Sequence, residues 1–166
     1  MKVLGLGALE QRLQHDLNII GYPLNEWVPE KFTKEGERVL DVLIVGAGQG
    51  GLAIAFQLMR ERVNNVLVID KAEPGTEGPW INYARMPILR SPKEVNGPDL
   101  NIPSLSFQAW YEAQFGAPSW EAMGKIPTKM WMDYLVWYRR ILQLPVENGV
   151  RLDTFEPYED IQKVIL

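Results

Sequence analysis

Residues 42–51 read VLIVGAGQGG: four apolar residues run directly into a turn built from glycine, alanine and one glutamine. Glycine loses more backbone freedom on folding than any other residue, so four glycines in six positions are costly unless something needs their bareness. The spacing Gly46-x-Gly48-x-x-Gly51 follows an apolar run and opens a helical pattern. In a dinucleotide-binding turn, the first glycine permits the tight bend and the second lets a pyrophosphate reach the main chain. The third lets helix and strand pack closely. The helix start at Gln49, Gly50 and Gly51 then offers free N–H groups and a positive dipole end to phosphate.

Outward from this corner the pattern continues. Val39–Val45 reads as a strand buried on both faces, with one Asp inside it. Gln49–Arg62 reads as a helix with Leu52, Ala55, Phe56 and Met59 inward and Arg60 and Arg62 at the end its dipole favours. Asn64-Asn65 makes a turn, and Val66–Ile69 is a second strand closing with Asp70. Together they form a βαβ unit. Asp70 follows Gly51 by 19 residues, where a carboxylate can accept both hydroxyls of an adenosine ribose and repels a 2′-phosphate. The ligand this predicts is an adenine dinucleotide, FAD or NAD rather than NADP. The stretch VLGLGALE at 3–10 imitates the motif, but Glu10 stands at its third glycine position and no strand precedes it.

Elsewhere, residues 8–20 predict a helix ended by Gly21 and Pro23, and residues 22–39 a polar lead-in. Six of the twelve prolines fall within 71–104, a density that excludes helix and central strand. Helical spacing returns at 106–123 and 128–143, where the aromatic face of Met130, Trp131, Tyr134, Trp137 and Tyr138 reads as core. NGVRLDT predicts a turn and third strand, and IQKVIL a further strand. The domain division this gives is a helical lead-in at 1–38 and a dinucleotide-binding domain at 39–166.

The bulk composition narrows the function. Of 166 residues 46% are hydrophobic, enough for a real core. A net charge of −4 argues against a nucleic-acid partner. No cysteine is present, which excludes disulfides and thiolate chemistry. The single His15 has no partners for a metal site or triad. No apolar run reaches the ~20 residues of a membrane span, so no membrane partner is expected and a cytoplasmic location is the default.

From about residue 40 to 150 the chain resembles the N-terminal part of the class B-like flavoprotein monooxygenases, which are related to Baeyer–Villiger and N-hydroxylating enzymes. The resemblance rests on DVLIVGAGQGGLA, VLVIDKAEPGTEGPW, YARMPILRSPKEVNGPDLNIPSLSFQAWYEAQFG and KIPTKMWMDYLVWYRR. It implies that Gly46, Gly48 and Gly51 hold the FAD pyrophosphate, that Asp70 holds the ribose and that Lys71 lies on the adenine side. It places Gly78-Pro79-Trp80 at the family's glycine–tryptophan loop near the flavin, with a proline interrupting the usual form. Arg90 is either a cofactor or substrate contact or a salt bridge holding its loop.

Proteins of that type run longer, with a second glycine fingerprint for NAD(P)H and a segment that closes over the flavin. The expectation is therefore an α/β, Rossmann-like three-layer domain with a parallel sheet, incomplete and with added helices. It would retain FAD weakly or not at all by itself, and NAD(P)H would serve as reductant only if the missing half is supplied. Surface left bare by the missing strands favours self-association or a partner chain completing the fold. A truncated product, an excised domain and a split-enzyme subunit all fit. A non-catalytic dinucleotide-binding subunit and an NAD-dependent dehydrogenase domain are the alternatives. No residue can be nominated as catalytic.

Overall fold

The computed structural model describes residues 3–95, 97–158 and 161–166. Its centre is a parallel sheet of β1 (Val42–Val45), β2 (Val66–Asp70) and β3 (Val146–Asn148), in that spatial order. The register pairs Val42 with Val66 and Val45 with Ile69, then Val68 with Val146 and Asp70 with Asn148. Helix α2 (Gln49–Arg60) crosses over from β1 to β2 and buries Leu52, Ala55 and Phe56.

Side chains alternate across a strand, and β1 obeys this. Ile44 faces α2, while Leu43 faces a cleft it shares with Phe155 and Val164. Those two residues belong to an antiparallel hairpin of β4 (Thr154–Tyr158) and β5 (Ile161–Ile165), which does not join the parallel sheet. The outer edge of β1 pairs with no strand among the described residues, and Val45 at its end is 53% exposed.

Between β2 and β3 the chain takes a long excursion. The described residues of 71–102 hold no regular element, and a 3-10 turn at Pro103–Leu105 leads into α3 (Phe107–Phe115), α4 (Ala117–Ala122) and α5 (Thr128–Ile141). Ser106 caps α3 by accepting the Ala109 N–H at 3.1 Å. The helical stretch at 106–123 is two helices rather than one. Gly116 at φ 82° and Pro118 break it, because a left-handed residue cannot continue a right-handed helix.

The irregular segment is tied down by α5's lead-in: the Leu89 N–H donates to the Ile126 carbonyl and the Thr128 N–H to the Pro87 carbonyl. The aromatic face of α5 is core. Phe107 lies 5.4 Å, centroid to centroid, from both Trp131 and Tyr134. Tyr134 donates its hydroxyl to the Leu105 carbonyl and Tyr138 to that of Pro98. Phe56 of α2 meets Tyr138 edge-on, which joins the excursion to the βαβ unit.

The third strand is Val146–Asn148, on the near side of the Asn148-Gly149 turn rather than beyond it. Gly149 turns the chain at φ 71°, and the next strand, β4, leaves the parallel sheet. Helix α1 (Leu6–Ile19) is capped at Gly5, so the imitation glycine motif is a helix start, and no strand precedes it among the described residues. Leu13 is fully buried, Trp137 Nε1 donates to Glu10 and Ser104 donates to Asp16. Residues 22–27 grip the far end of α2: Trp27 Nε1 donates to the Glu61 carbonyl and Arg62 Nε to that of Pro23, with the Arg62 guanidinium over the Tyr22 ring.

Candidate functional site

The glycine corner joins the carboxyl end of β1 to α2. Gly46 takes φ 104°, a conformation open to glycine and costly for other residues, and its N–H donates to the Ile69 carbonyl at 2.7 Å. Gly48 is the N-cap of α2 with extended backbone. Gly51 is constrained most tightly. A Cβ there would be driven into the carbonyl oxygen of Gly46 and sit 3.4 Å from Ile44 Cγ2. That is the close helix–strand approach expected of the third glycine. Gly50 has open space around it.

No backbone or side-chain acceptor among the described residues reaches the amides of Gly48, Gln49, Gly50 or Gly51. Free first-turn N–H groups are intrinsic to a helix start. Here they stand at a corner whose only side chains are those of Ala47 and Gln49, beside a carboxylate. Asp70 Oδ2 accepts the Ala47 N–H at 2.7 Å and Oδ1 the Ala72 N–H at 2.8 Å. The acid thus braces the turn while half of its four lone-pair sites remain open.

The space in front of this corner is a cleft of about 460 Å³, whose walls include Gly46, Asp70, Lys71, Gly78, Tyr83 and Arg151. A larger cleft of about 860 Å³ lies between the lead-in and the hairpin, lined by residues such as Leu40, Leu43 and Phe155. Size is a poor guide to function here, because only the smaller cleft meets the bare corner and the acid.

The structure thus brings Gly46, Asp70 and Lys71 to one cleft, with Gly48, Gln49, Gly50 and Gly51 at the adjoining helix start. Gly78, at φ 71°, lies against Gly48: a Cβ on Gly48 would come within 3.6 Å of Gly78 Cα. Trp80 packs beside Gly78 and edge-on to Trp131. Its Nε1 is buried without a partner, a state shared by Trp110 and Trp131 in the aromatic core, so it does not single out a ligand contact. Arg90 is exposed and stands outside the cleft's lining. Its loop is held instead by Lys125, whose ammonium donates to the Arg90 and Ser91 carbonyls.

Sequence reasoning passed over Tyr83, Arg151, Glu77, Arg139 and Asn148. The first two lie in loops without a motif. The last three form a side-chain network joining the loop 71–80 to α5 and β3. Among the described residues no cluster of His, Asp and Glu suits a metal ion, and no helix is long and apolar enough to cross a membrane.

A bare corner of unpaired amides after a parallel strand, with an acid at the end of the next strand, defines a dinucleotide-binding α/β domain. The chain belongs to the FAD-NAD(P)-binding family, whose match runs over residues 43–160. It is similar to the FAD-dependent urate hydroxylase of Xanthomonas campestris pv. campestris, with 53% identity over 154 residues. Those residues are 93% of this chain and 32% of the hydroxylase, so the chain spans about a third of that relative's length.

Proposed function

We propose that this chain is the FAD-binding portion of a flavin-dependent oxidoreductase whose reaction class is hydroxylation. The observation that carries the reading is the glycine corner: unpaired helix-start amides, glycines that leave the main chain open, and Asp70 in the same cleft. The similarity to an FAD-dependent urate hydroxylase supports FAD over NAD and urate-like oxidised purines as the substrate class.

In this reading the amides of Gly48, Gln49, Gly50 and Gly51 hydrogen-bond the pyrophosphate, and the helix dipole adds to the attraction. The open lone pairs of Asp70 accept the ribose hydroxyls, and its charge repels a 2′-phosphate. Lys71 and Arg151, in the same cleft wall, offset the negative charge of the bound diphosphate. Trp80 packs at the flavin side of Gly78, and Arg90 acts outside this cleft. The bound flavin supplies the redox chemistry, while the protein orients and shields it. The division at residue 38 separates a lead-in that braces the far end of α2 from the domain that holds the nucleotide. The open edge of β1 is where further strands, or a partner chain, would complete the sheet and the walls around the flavin ring. Reduction by NAD(P)H then depends on residues beyond this chain.

The test is a visible spectrum of the purified chain with FAD added, beside titrations with ADP and NAD. Flavin bands that appear on the protein with FAD in excess, and tighter binding of FAD than of NAD, support the reading. Colourless protein that binds ADP and NAD equally well points instead to an NAD-dependent dehydrogenase domain or a non-catalytic dinucleotide module. Steady NADPH oxidation by this chain alone would overturn the assignment of the reductive half to other sequence.

A further inference from the structure

Glu77 is a buried carboxylate, 3% exposed, that the nucleotide reading leaves without a task. It is fully engaged. Oε1 accepts from Arg139 Nη1 at 2.9 Å and from Asn148 Nδ2 at 2.7 Å, and Oε2 accepts the Gly75 N–H at 2.8 Å. Arg139 spreads its fork further, to Asn148 Oδ1 at 2.7 Å and to the Val146 carbonyl at 3.0 Å. One carboxylate therefore ties the loop after β2 to α5 and to the end of β3. The residue next to it is Gly78, which rests against Gly48 at the phosphate corner.

We infer that Glu77, Arg139 and Asn148 are positioning residues that set the spacing between Gly78 and Gly48, and through it the affinity for the diphosphate part of a nucleotide. The inference rests on the dinucleotide reading of the corner. The adenosine end shares Asn148, whose Nδ2 donates to the Ala72 carbonyl at 3.0 Å, but it keeps bonds that do not pass through Glu77. Ala72 O also accepts the Gly149 N–H, the Asp70 carbonyl accepts the Val150 N–H, and the Asp70 carboxylate is held by Ala47 and Ala72. Loosening Glu77 moves the loop on the phosphate side and leaves those bonds in place.

Glu77→Gln is the sharpest probe. Both carboxylate oxygens face donors, so an amide must turn its NH2 group toward a donor whichever way it is oriented. The experiment measures ADP and adenosine binding calorimetrically on the full chain and compares their ratio in wild type and variant. ADP affinity is expected to fall about tenfold as the Gly78–Gly48 spacing loosens, while adenosine affinity changes less than about twofold. Equal weakening of both ligands, as a general loss of structure would give, overturns the inference, and so does an unchanged ADP affinity. Should Glu77→Gln fail to fold, Arg139→Lys keeps the charge but cannot serve Glu77, Asn148 and Val146 together. It is expected to shift the ratio the same way, and an unshifted ratio counts as refutation. Wild-type protein that binds neither ligand instead brings down the dinucleotide reading, and this inference with it.

Discussion

Gly50 and Gly51 are neighbours in the first turn of α2, and the structure assigns them opposite tolerances. A methyl at Gly51 is driven into the Gly46 carbonyl and crowds Ile44, so either α2 slides off β1 or the corner re-forms. Neither obstacle is a flexible side-chain tip. Overpacking of this kind costs roughly 1–3 kcal/mol. Alanine's better helix propensity returns up to about 1 kcal/mol. A net loss of about 1 kcal/mol lowers Tm by roughly 2–4 °C in a chain of this size. If the displaced amides hold the diphosphate as proposed, ADP affinity should fall by about tenfold to a hundredfold, the worth of one hydrogen bond to a charged group. A methyl at Gly50 meets nothing within 4 Å and its φ is ordinary. Gly50→Ala should therefore be neutral or stabilising by up to about 1 kcal/mol. Paired thermal melts and ADP titrations decide the matter. Equal behaviour of the two variants, or a Gly51→Ala protein that melts and binds like wild type, would refute the close-approach reasoning.

Asp70→Asn leaves one acceptor where two amides donate, so the chain should lose about 1–3 kcal/mol in urea unfolding. Unlike Glu77→Gln, it should weaken adenosine and ADP together. Burial pushes the Tyr134 and Tyr138 phenols above their ordinary range, and both donate hydrogen bonds that only the protonated form can make. Their contribution is complete below the unfolded phenol pKa of about 10 and fades as pH rises toward the folded values. Urea midpoints should hold steady at neutral pH and drop above about pH 10, and Tyr138→Phe should flatten the drop. Asp16 is shifted the other way. The hydrogen bond from Ser104, then that from Arg12, holds its carboxyl below the ordinary 3.8. Its contribution to docking α1 is present above the ordinary carboxylate range and disappears as pH falls through the lowered folded value. Hydrogen exchange in α1 should accelerate in acid, and Ser104→Ala should remove most of that pH dependence.

The βαβ unit was legible because every signal in it is local. An apolar run, three spaced glycines and an acid at a strand end each act over a few residues, and the structure sets them where the spacing implies. The third strand was placed too late because Val146–Asn148 is short and half polar, while the following NGVRLDT carries stronger turn and strand signals. The break at Gly116 was hidden by apolar spacing that continues on both sides of it. The network of Glu77 could not be read at all, since its partners lie 62 and 71 positions away and nothing in the local pattern marks a buried carboxylate. Arg90 lies outside the cleft, and its loop is held through the Arg90 and Ser91 carbonyls by Lys125, 35 and 34 positions away.

The grip of the lead-in on α2 has a practical corollary in optics. Trp27 is 65% exposed while Trp110, Trp120, Trp131 and Trp137 are all buried. A water-borne collisional quencher therefore extinguishes this indole first, and its emission colour tracks whether the ring still caps the Glu61 carbonyl. Trp27 thus marks the tip of α2 opposite the glycine corner, and any change at that tip on adding a nucleotide is readable without attaching a dye.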